Sequence, residues 1–252
     1  MSSRLRLLAG YMFEAIDFYK VPYVVMIWPL NKDCNSHFLD IFQPVKNLYF
    51  ISPDQRKFYT QHANITFEMT WYSFERILFM HKITEYTIPL RRKIYKMFIP
   101  VDKIYNEVVR FVVLNNICNM SAIHVRRTDM ELTHRRRSVT TDEELFEFIE
   151  STPKEEKVFL MADNKASREL FIKKYPAKLL VYSNFESDEK SISIGGRHTP
   201  LSYAITEMFI AAHAYNFHGT VGSSFSELIA VYSDIYTSTR QCLKLSAKKI
   251  VE

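Results

Sequence analysis

Short apolar runs alternate with segments of helical periodicity through the second half of the chain, and this order sets the tightest limit on the fold. Strands are expected at four apolar runs: 120–125, 157–162, 178–182 and 215–218. Helical segments follow these runs in turn, at 141–149, 166–174, 200–214 and 224–232. Because successive parallel strands are joined by helical crossovers, this order predicts a parallel, doubly wound sheet and an α/β fold.

The first half of the chain alternates in the same way but less regularly. Strands are expected at three apolar runs: 21–28, 45–51 and 64–71. Helices are expected at four segments: 3–19, 36–42, 75–81 and 91–114, the last interrupted at Pro100. With a boundary near 114–119, we predict an N-terminal domain over 1–115 and a C-terminal domain over 116–252.

The composition excludes several classes of protein. Hydrophobic residues make up 47% of the chain and only 5 residues are glycine, so a folded core is expected rather than disorder. No run approaches the roughly 20 apolar residues of a membrane span, and the N-terminus does not resemble a signal peptide. Cys34, Cys118 and Cys242 have neither disulfide-framework nor zinc-site spacing. We therefore expect a soluble, cytoplasmic protein in a reducing compartment.

The charge of the chain favours anionic ligands only mildly. The net charge is +5, and part of it is concentrated in Arg126, Arg127 and the run Arg135 to Arg137. No recognised nucleic-acid motif accompanies that basic run, so a nucleic-acid partner is not expected.

Residues 121–129, Ser-Ala-Ile-His-Val-Arg-Arg-Thr-Asp, begin as a buried strand and end in charged side chains. Arginine is rarely buried without a partner, so the adjacent Arg126 and Arg127 indicate a paired charge or a bound ligand. Adjacent strand residues point to opposite faces, so both cannot face solvent in a central strand. A phosphorylated ligand at the carboxyl end of the sheet is one interpretation. A surface salt bridge from either arginine to Asp129 is the alternative.

A second candidate segment, Gly-Thr-Val-Gly-Ser-Ser-Phe-Ser at 219–226, opens the last helix. A loop of small residues before a helix leaves backbone N–H groups and the positive helix end available to an anion. Plain helix capping is the alternative interpretation. Both candidate segments follow predicted strands of one sheet, so we expect them at the same edge.

Both segments resemble motifs of one enzyme family. His-Val-Arg-Arg-Thr-Asp at 124–129 resembles the H-x-R-R-x-D motif of the α1,2-, α1,6- and protein O-fucosyltransferase superfamily. Residues 219–227 are similar to its C-terminal motif, and 158–163 stand where the family has a strand ending in an acidic residue. Four further features of this chain resemble the first half of the family: Ser3-Arg-Leu-Arg6, Ile27-Trp28-Pro29, Cys34 and Phe38. The resemblance touches nearly the whole chain.

The resemblance implies a GT-B arrangement, in which two Rossmann-like halves face a cleft. The C-terminal half would hold the donor, GDP-fucose first, and the N-terminal half would shape the acceptor side. Transfer to a glycan or protein hydroxyl would invert the anomeric centre without a metal or another cofactor. The sequence agrees in one respect, since it contains no D-x-D pair to hold a divalent ion. The family's first strand and Gly-rich loop normally precede the Arg-Leu-Arg element, so we expect a trimmed first half or an incomplete N-terminus.

The resemblance also implies roles for individual residues. Arg126 would clamp the donor diphosphate, while Arg127 would touch the donor sugar or brace Asp129. His124 would contact the nucleotide, and Asp163 would bind base or ribose or only cap the following helix. Backbone N–H groups would be presented to phosphate by three residues: Ser223, Ser224 and Phe225.

The catalytic base is left open among three candidates: Asp129, Glu131 and His134. An inverting transfer needs a base that takes the proton of the acceptor hydroxyl. Together with Arg126, these residues form the predicted catalytic set. Two other functions also stay open: the same fold with another nucleotide sugar such as a UDP-sugar, and a relative that binds a nucleotide or glycan without catalysis.

Overall fold

The computed structural model describes residues 2–30, 34, 36–63, 87–127, 140–182 and 200–237. The chain divides into two compact units, Met1–Val101 and Asp102–Glu252. The strand predicted at 64–71 and the helix predicted at 75–81 lie outside the described residues. The assignment of an acceptor-side domain and a donor domain, with a boundary between 115 and 116, stays a prediction.

The first unit contains five regular elements in its described part: α1 (Ser2–Met12), β1 (Val24–Ile27), β2 (Leu48–Ile51), α2 (Arg56–His62) and α3 (Thr87–Tyr95). A π-helix over Phe13–Phe18 extends α1, so the helix predicted over 3–19 is confirmed. The segment predicted as a helix at 36–42 forms only a short 3-10 helix, Phe38–Asp40. Sequence reasoning missed α2, although the capping box formed by Ser52 and Gln55 precedes it.

An aromatic core lies around the two strands of the first unit. β1 and β2 pair in parallel, with Val24 opposite Leu48. The ring of Phe38 lies 4.9 Å from that of Phe50 on β2 and 5.5 Å from that of Trp28. β1 is shorter than the predicted strand at 21–28, which contains Pro22 and is followed by Pro29, and neither proline can donate a hydrogen bond to a neighbouring strand.

In the described part of the second unit, α-helices and strands alternate. Its elements are α4 (Asp102–Leu114), β3 (Ser121–Val125), α5 (Asp142–Ser151), β4 (Val158–Ala162), α6 (Lys165–Lys174), β5 (Leu179–Leu180), α7 (Leu201–Ala211), β6 (Asn216–Gly219) and α8 (Ser224–Thr237). The four strands form one sheet in the order β5-β4-β3-β6, and every pair is parallel. The predicted α/β class with a parallel sheet is therefore confirmed.

Helices cover both faces of this sheet. On one face, Leu145 and Ile149 of α5 and Phe171 of α6 pack against alternate strand residues: Ile123, Val125, Val158, Leu160 and Ala162. The intervening residues point to the other face. There the ring of Phe111 on α4 lies 5.8 Å from that of Phe159. Such a core explains why β3 and β4 are buried along their whole length.

Local capping chemistry sets the start of α5. The Thr141 hydroxyl accepts from the N–H of Glu144 at 3.2 Å, and the Glu144 carboxylate accepts from the N–H of Thr141 at 2.7 Å. This reciprocal pair is the predicted capping box, and it is confirmed.

Three predicted segments meet at the carboxyl edge of the sheet. His124 on β3 is opposite Gly219, the last residue of β6. On the other side of β3, Val125 is opposite Ala162, the last residue of β4. The residues that follow these strands are consequently neighbours. Within the described part of the chain, no helix is long and apolar enough to cross a membrane.

Candidate functional site

Thr220 fastens the loop after β6 to the end of β3. Its N–H and its hydroxyl both donate to the carbonyl oxygen of His124, at 3.1 and 2.9 Å. The same hydroxyl oxygen accepts from the N–H of Arg126 at 3.0 Å. Thr220 is buried, so these bonds have little competition from water. Sequence reasoning gave Thr220 no role, although it lies inside the second motif.

Gly219 permits the start of α8 to approach β6 closely. A Cβ atom at this position would lie 2.6 Å from the Cβ and 2.7 Å from the Oγ of Ser226, and 2.7 Å from Cζ of Phe217. No side chain larger than hydrogen fits between these atoms without displacement. Further along the loop, Gly222 has a φ of 74°, which glycine adopts without strain.

His124 is buried between the sheet and α8. Its Nδ1 lies 2.8 Å from the Ser226 hydroxyl oxygen, and its ring centroid lies 4.8 Å from that of Phe225. Burial lowers the pKa of His124 to about 3; Asp163 opposes the shift, and Arg126 and the neighbouring arginine add to it. The imidazole is therefore neutral near pH 7 and can act there as a hydrogen-bonding group, not as a proton carrier.

Arg126 lies next to Asp163, the residue that follows β4. The Nε atom of Arg126 is 3.6 Å from Oδ2 of Asp163, and both side chains are largely buried. The alternative partner considered for this arginine, Asp129, lies outside the described residues. The backbone N–H of Arg126 is thus held by Thr220, and its guanidinium is held from the other side by Asp163.

Arg127 is engaged by α5. Its Nε donates to Oδ1 of Asp142 at 3.1 Å, and its Nη2 pairs with the same oxygen. Its Nη1 donates to the carbonyl oxygen of Arg126 at 3.1 Å. The N–H of Arg127 donates to the two carboxylate oxygens of Asp163, at 3.1 and 3.3 Å. Asp142 was not among the predicted site residues.

Asp163 does not cap the helix that follows it. The cap of α6 is Asn164, whose Oδ1 accepts from the N–H of Ser167 at 2.8 Å. Asn164 also donates from Nδ2 to Oδ1 of Asp163 at 3.1 Å. The Asp163 carboxylate is thereby directed to the two arginines at the end of β3.

Ser223 caps α8 at the same edge of the sheet. Its hydroxyl oxygen accepts from the N–H of Ser226 at 3.4 Å, and its carbonyl oxygen accepts from the N–H of Glu227 at 3.0 Å. Its own N–H donates to the carbonyl oxygen of Thr220 at 3.2 Å. Ser224 and Phe225 form the first turn of α8, where N–H groups have no intrahelical acceptor and the helix dipole is positive.

The predicted base candidates Asp129, Glu131 and His134 lie outside the described residues, as does the basic run at 135–137. The next described residue, Thr140, is buried at the loop after β6. Its hydroxyl oxygen accepts from the N–H of Val221 at 2.9 Å.

Glu207 on α7 is a buried acid that sequence reasoning missed. Only 6% of its surface is exposed. Burial raises the pKa of Glu207 to about 8, and the charge of Arg168 on α6 opposes that shift. The signal that could have found it is a single acidic residue inside the otherwise apolar helix predicted at 200–214.

We expect the Glu207→Gln substitution to remove a pH dependence of stability. Between the ordinary glutamate pKa of 4.5 and the pKa of about 8 in the folded protein, the native protein binds a proton that the unfolded chain has released. The free energy of unfolding should therefore fall by about 2–4 kcal/mol as the pH rises through this window. Urea denaturation from pH 5 to 8.5 measures the free energy of unfolding against pH.

The control is Glu143→Gln, at an exposed position. If Glu207→Gln lost stability with pH as steeply as the wild type, Glu207 would not be the group that titrates in this range.

The described fold defines a class: an α/β protein with a parallel sheet whose candidate site lies at the carboxyl ends of the strands, where such folds bind nucleotides. No family model matches the chain, and no curated protein does. Solved structures do match. NodZ alpha-1,6-fucosyltransferase co-crystallized with GDP has a TM-score of 0.56 and 14% identity, covering 90% of this chain and 87% of that chain.

Two further structures extend the comparison. Fucosyltransferase NodZ from Bradyrhizobium has a TM-score of 0.54 and 12% identity, covering 89% of this chain and 87% of that chain. POFUT1 in complex with GDP-fucose has a TM-score of 0.52 and 11% identity, covering 93% of this chain and 91% of that chain. The resemblance to the fucosyltransferase superfamily is thereby confirmed at the level of the fold.

Proposed function

We propose that this protein is an inverting glycosyltransferase that moves fucose from GDP-fucose to a hydroxyl group of a glycan or protein. The observation that carries the proposal is the joining of the two motifs at one sheet edge. Thr220 bonds to both His124 and Arg126, so residues 124–127 of the H-x-R-R-x-D segment adjoin the loop that leads into α8. Structures of similar fold that contain GDP or GDP-fucose support the choice of donor.

The site offers groups suited to a nucleoside diphosphate. Arg126 and the first-turn N–H groups of Ser224 and Phe225 would bind the diphosphate, with Ser223 holding the helix start in place. Neutral His124 would contact the nucleotide. Asp163 would orient Arg126 and complete the donor-binding set.

The chemistry requires one bond to form and one to break at the fucose anomeric carbon. The acceptor oxygen bonds to that carbon from the face opposite the diphosphate, and GDP departs with the electron pair of the broken bond. A base takes the acceptor proton; we propose Asp129, Glu131 or His134 for this step. Arg126 and backbone N–H groups would stabilise the charge that develops on the leaving diphosphate, so we propose that no divalent ion is required.

Ligand binding in EDTA tests the proposal. Calorimetry and thermal unfolding should show binding of GDP and GDP-fucose in preference to UDP and UDP-sugars. At a free concentration 100 times its dissociation constant, the ligand should raise the free energy of unfolding by about 2.7 kcal/mol. Release of GDP on addition of glycan or peptide acceptors then measures transfer. If the protein bound no nucleotide, the proposal would be refuted. If it bound UDP in preference to GDP, the proposed donor would change from GDP-fucose to a UDP-sugar.

A further inference from the structure

Arg127 belongs to the motif, yet its guanidinium is committed to a residue outside it. Two of its nitrogen atoms, Nε and Nη2, bond to Asp142, and Nη1 bonds to the carbonyl oxygen of Arg126. Its side chain is only 10% exposed. Three of its five guanidinium N–H groups are thereby engaged, so these contacts fix the orientation of the side chain and Arg127 acts as a brace.

Asp142 is well placed to hold this brace. It is the first residue of α5, where the positive end of the helix dipole favours a carboxylate. Leu145 and Ile149 of the same helix are fully buried in the core. The carboxylate is therefore carried on an element that cannot shift without disturbing that core.

Two side-chain ion pairs, Arg126 with Asp163 and Arg127 with Asp142, are joined by the backbone N–H of Arg127, which donates to Asp163. Asp163 is shared, because it pairs with the Arg126 guanidinium and accepts from the N–H of Arg127. If Asp142 were neutral, the buried charge of Arg127 would need another carboxylate. Asp163 is the nearby candidate, because it already accepts a hydrogen bond from the N–H of Arg127. Asp163 would then be drawn away from Arg126.

We propose that Asp142 is a positioning residue for the donor: by neutralising Arg127, it keeps Asp163 paired with Arg126 and so orients that arginine. This inference rests on the proposed function. It also assigns Arg127 to bracing the site and not to contact with the donor sugar.

A double-variant cycle tests the inference, using Asp142→Asn, Arg127→Gln and the two together. Asp142→Asn should weaken GDP binding about 10-fold in calorimetry, lower kcat with GDP-fucose, and leave the circular dichroism spectrum unchanged. The double variant should bind GDP no more weakly than Arg127→Gln alone, because the two residues act through one contact. Asp142→Glu should recover part of the loss. Glu143→Gln, an exposed charge loss in the same helical turn, should bind GDP like the wild type.

The outcomes separate this inference from the proposed function. GDP binding that is equal in the wild type and in Asp142→Asn would overturn the positioning role alone. Losses that add in the double variant would also overturn it, since Arg127 would then act independently of Asp142. Absence of GDP binding by the wild type would overturn both the proposed function and the inference.

Discussion

Replacing Arg126 with alanine should lower the rate of fucose transfer about 10²–10³-fold, the loss typical of removing one preorganised hydrogen-bond donor to developing charge. Arg126 is the arginine of the motif whose guanidinium is paired with Asp163 at the carboxyl edge of the sheet. Its loss would remove positive charge where the leaving diphosphate is expected. Steady-state kinetics with GDP-fucose and an active acceptor measure kcat and KM, and calorimetry measures the accompanying loss of GDP affinity.

Two controls make this result specific to the site. Arg110→Ala removes an equal charge from the solvent-exposed side of α4, where Arg110 pairs with Glu107 at 2.8 Å, and it should not change kcat. Arg126→Lys keeps the charge but lacks the forked donor geometry, so its rate should lie between those of the wild type and Arg126→Ala. A kcat for Arg126→Ala within a few-fold of the wild-type value would remove Arg126 from the catalytic set.

Replacing Gly219 with alanine should destabilise the second unit and weaken GDP binding. The new methyl group would lie 2.6 Å from Cβ of Ser226 and 2.7 Å from Cζ of Phe217, well inside van der Waals contact. Relief of the contact with Ser226 requires α8 to move away from β6, which would disturb the hydrogen bond between His124 and Ser226, and relief of the other contact requires the Phe217 ring to shift. We expect a loss of about 1–3 kcal/mol in the free energy of unfolding, measured with urea.

A second substitution can rescue this variant if the clash has been identified correctly. Ser226→Gly removes two of the three crowded atoms, Cβ and Oγ of Ser226. The double variant Gly219→Ala/Ser226→Gly should then be more stable than the sum of the two single losses predicts. Wild-type stability in Gly219→Ala would show that α8 and β6 are not in close contact.

Local pattern was sufficient to predict much of the second unit. The alternation of apolar runs and helical segments led to the four parallel strands, because strand and helix periodicity depend on neighbouring residues. The capping box of Thr141 and Glu144 was predicted for the same reason, since its partners are three residues apart. The meeting of the two motifs at one sheet edge followed from strand direction alone.

The partners of the charged and polar groups depend on packing between distant segments. Arg127 pairs with Asp142, 15 residues away, and its N–H bonds to Asp163, 36 residues away. Thr220 reaches Arg126 across 94 residues. No periodicity or short motif encodes such distances, because many carboxylates and hydroxyls would satisfy an arginine equally well in sequence.

Motif and periodicity were thus enough for the fold class, the parallel pairing of the strands in the second unit and the meeting of the two motifs at one edge of the sheet. Packing of the helices against the sheet decided which side chains complete that site. It brought Asp142 to Arg127 and removed water from His124 and Glu207, whose pKa values shift because burial penalises their charged forms. Burial and through-space pairing exist only in the folded chain, and for that reason the contacts of Thr220 and Asp142 and the burial of Glu207 emerged from the tertiary structure.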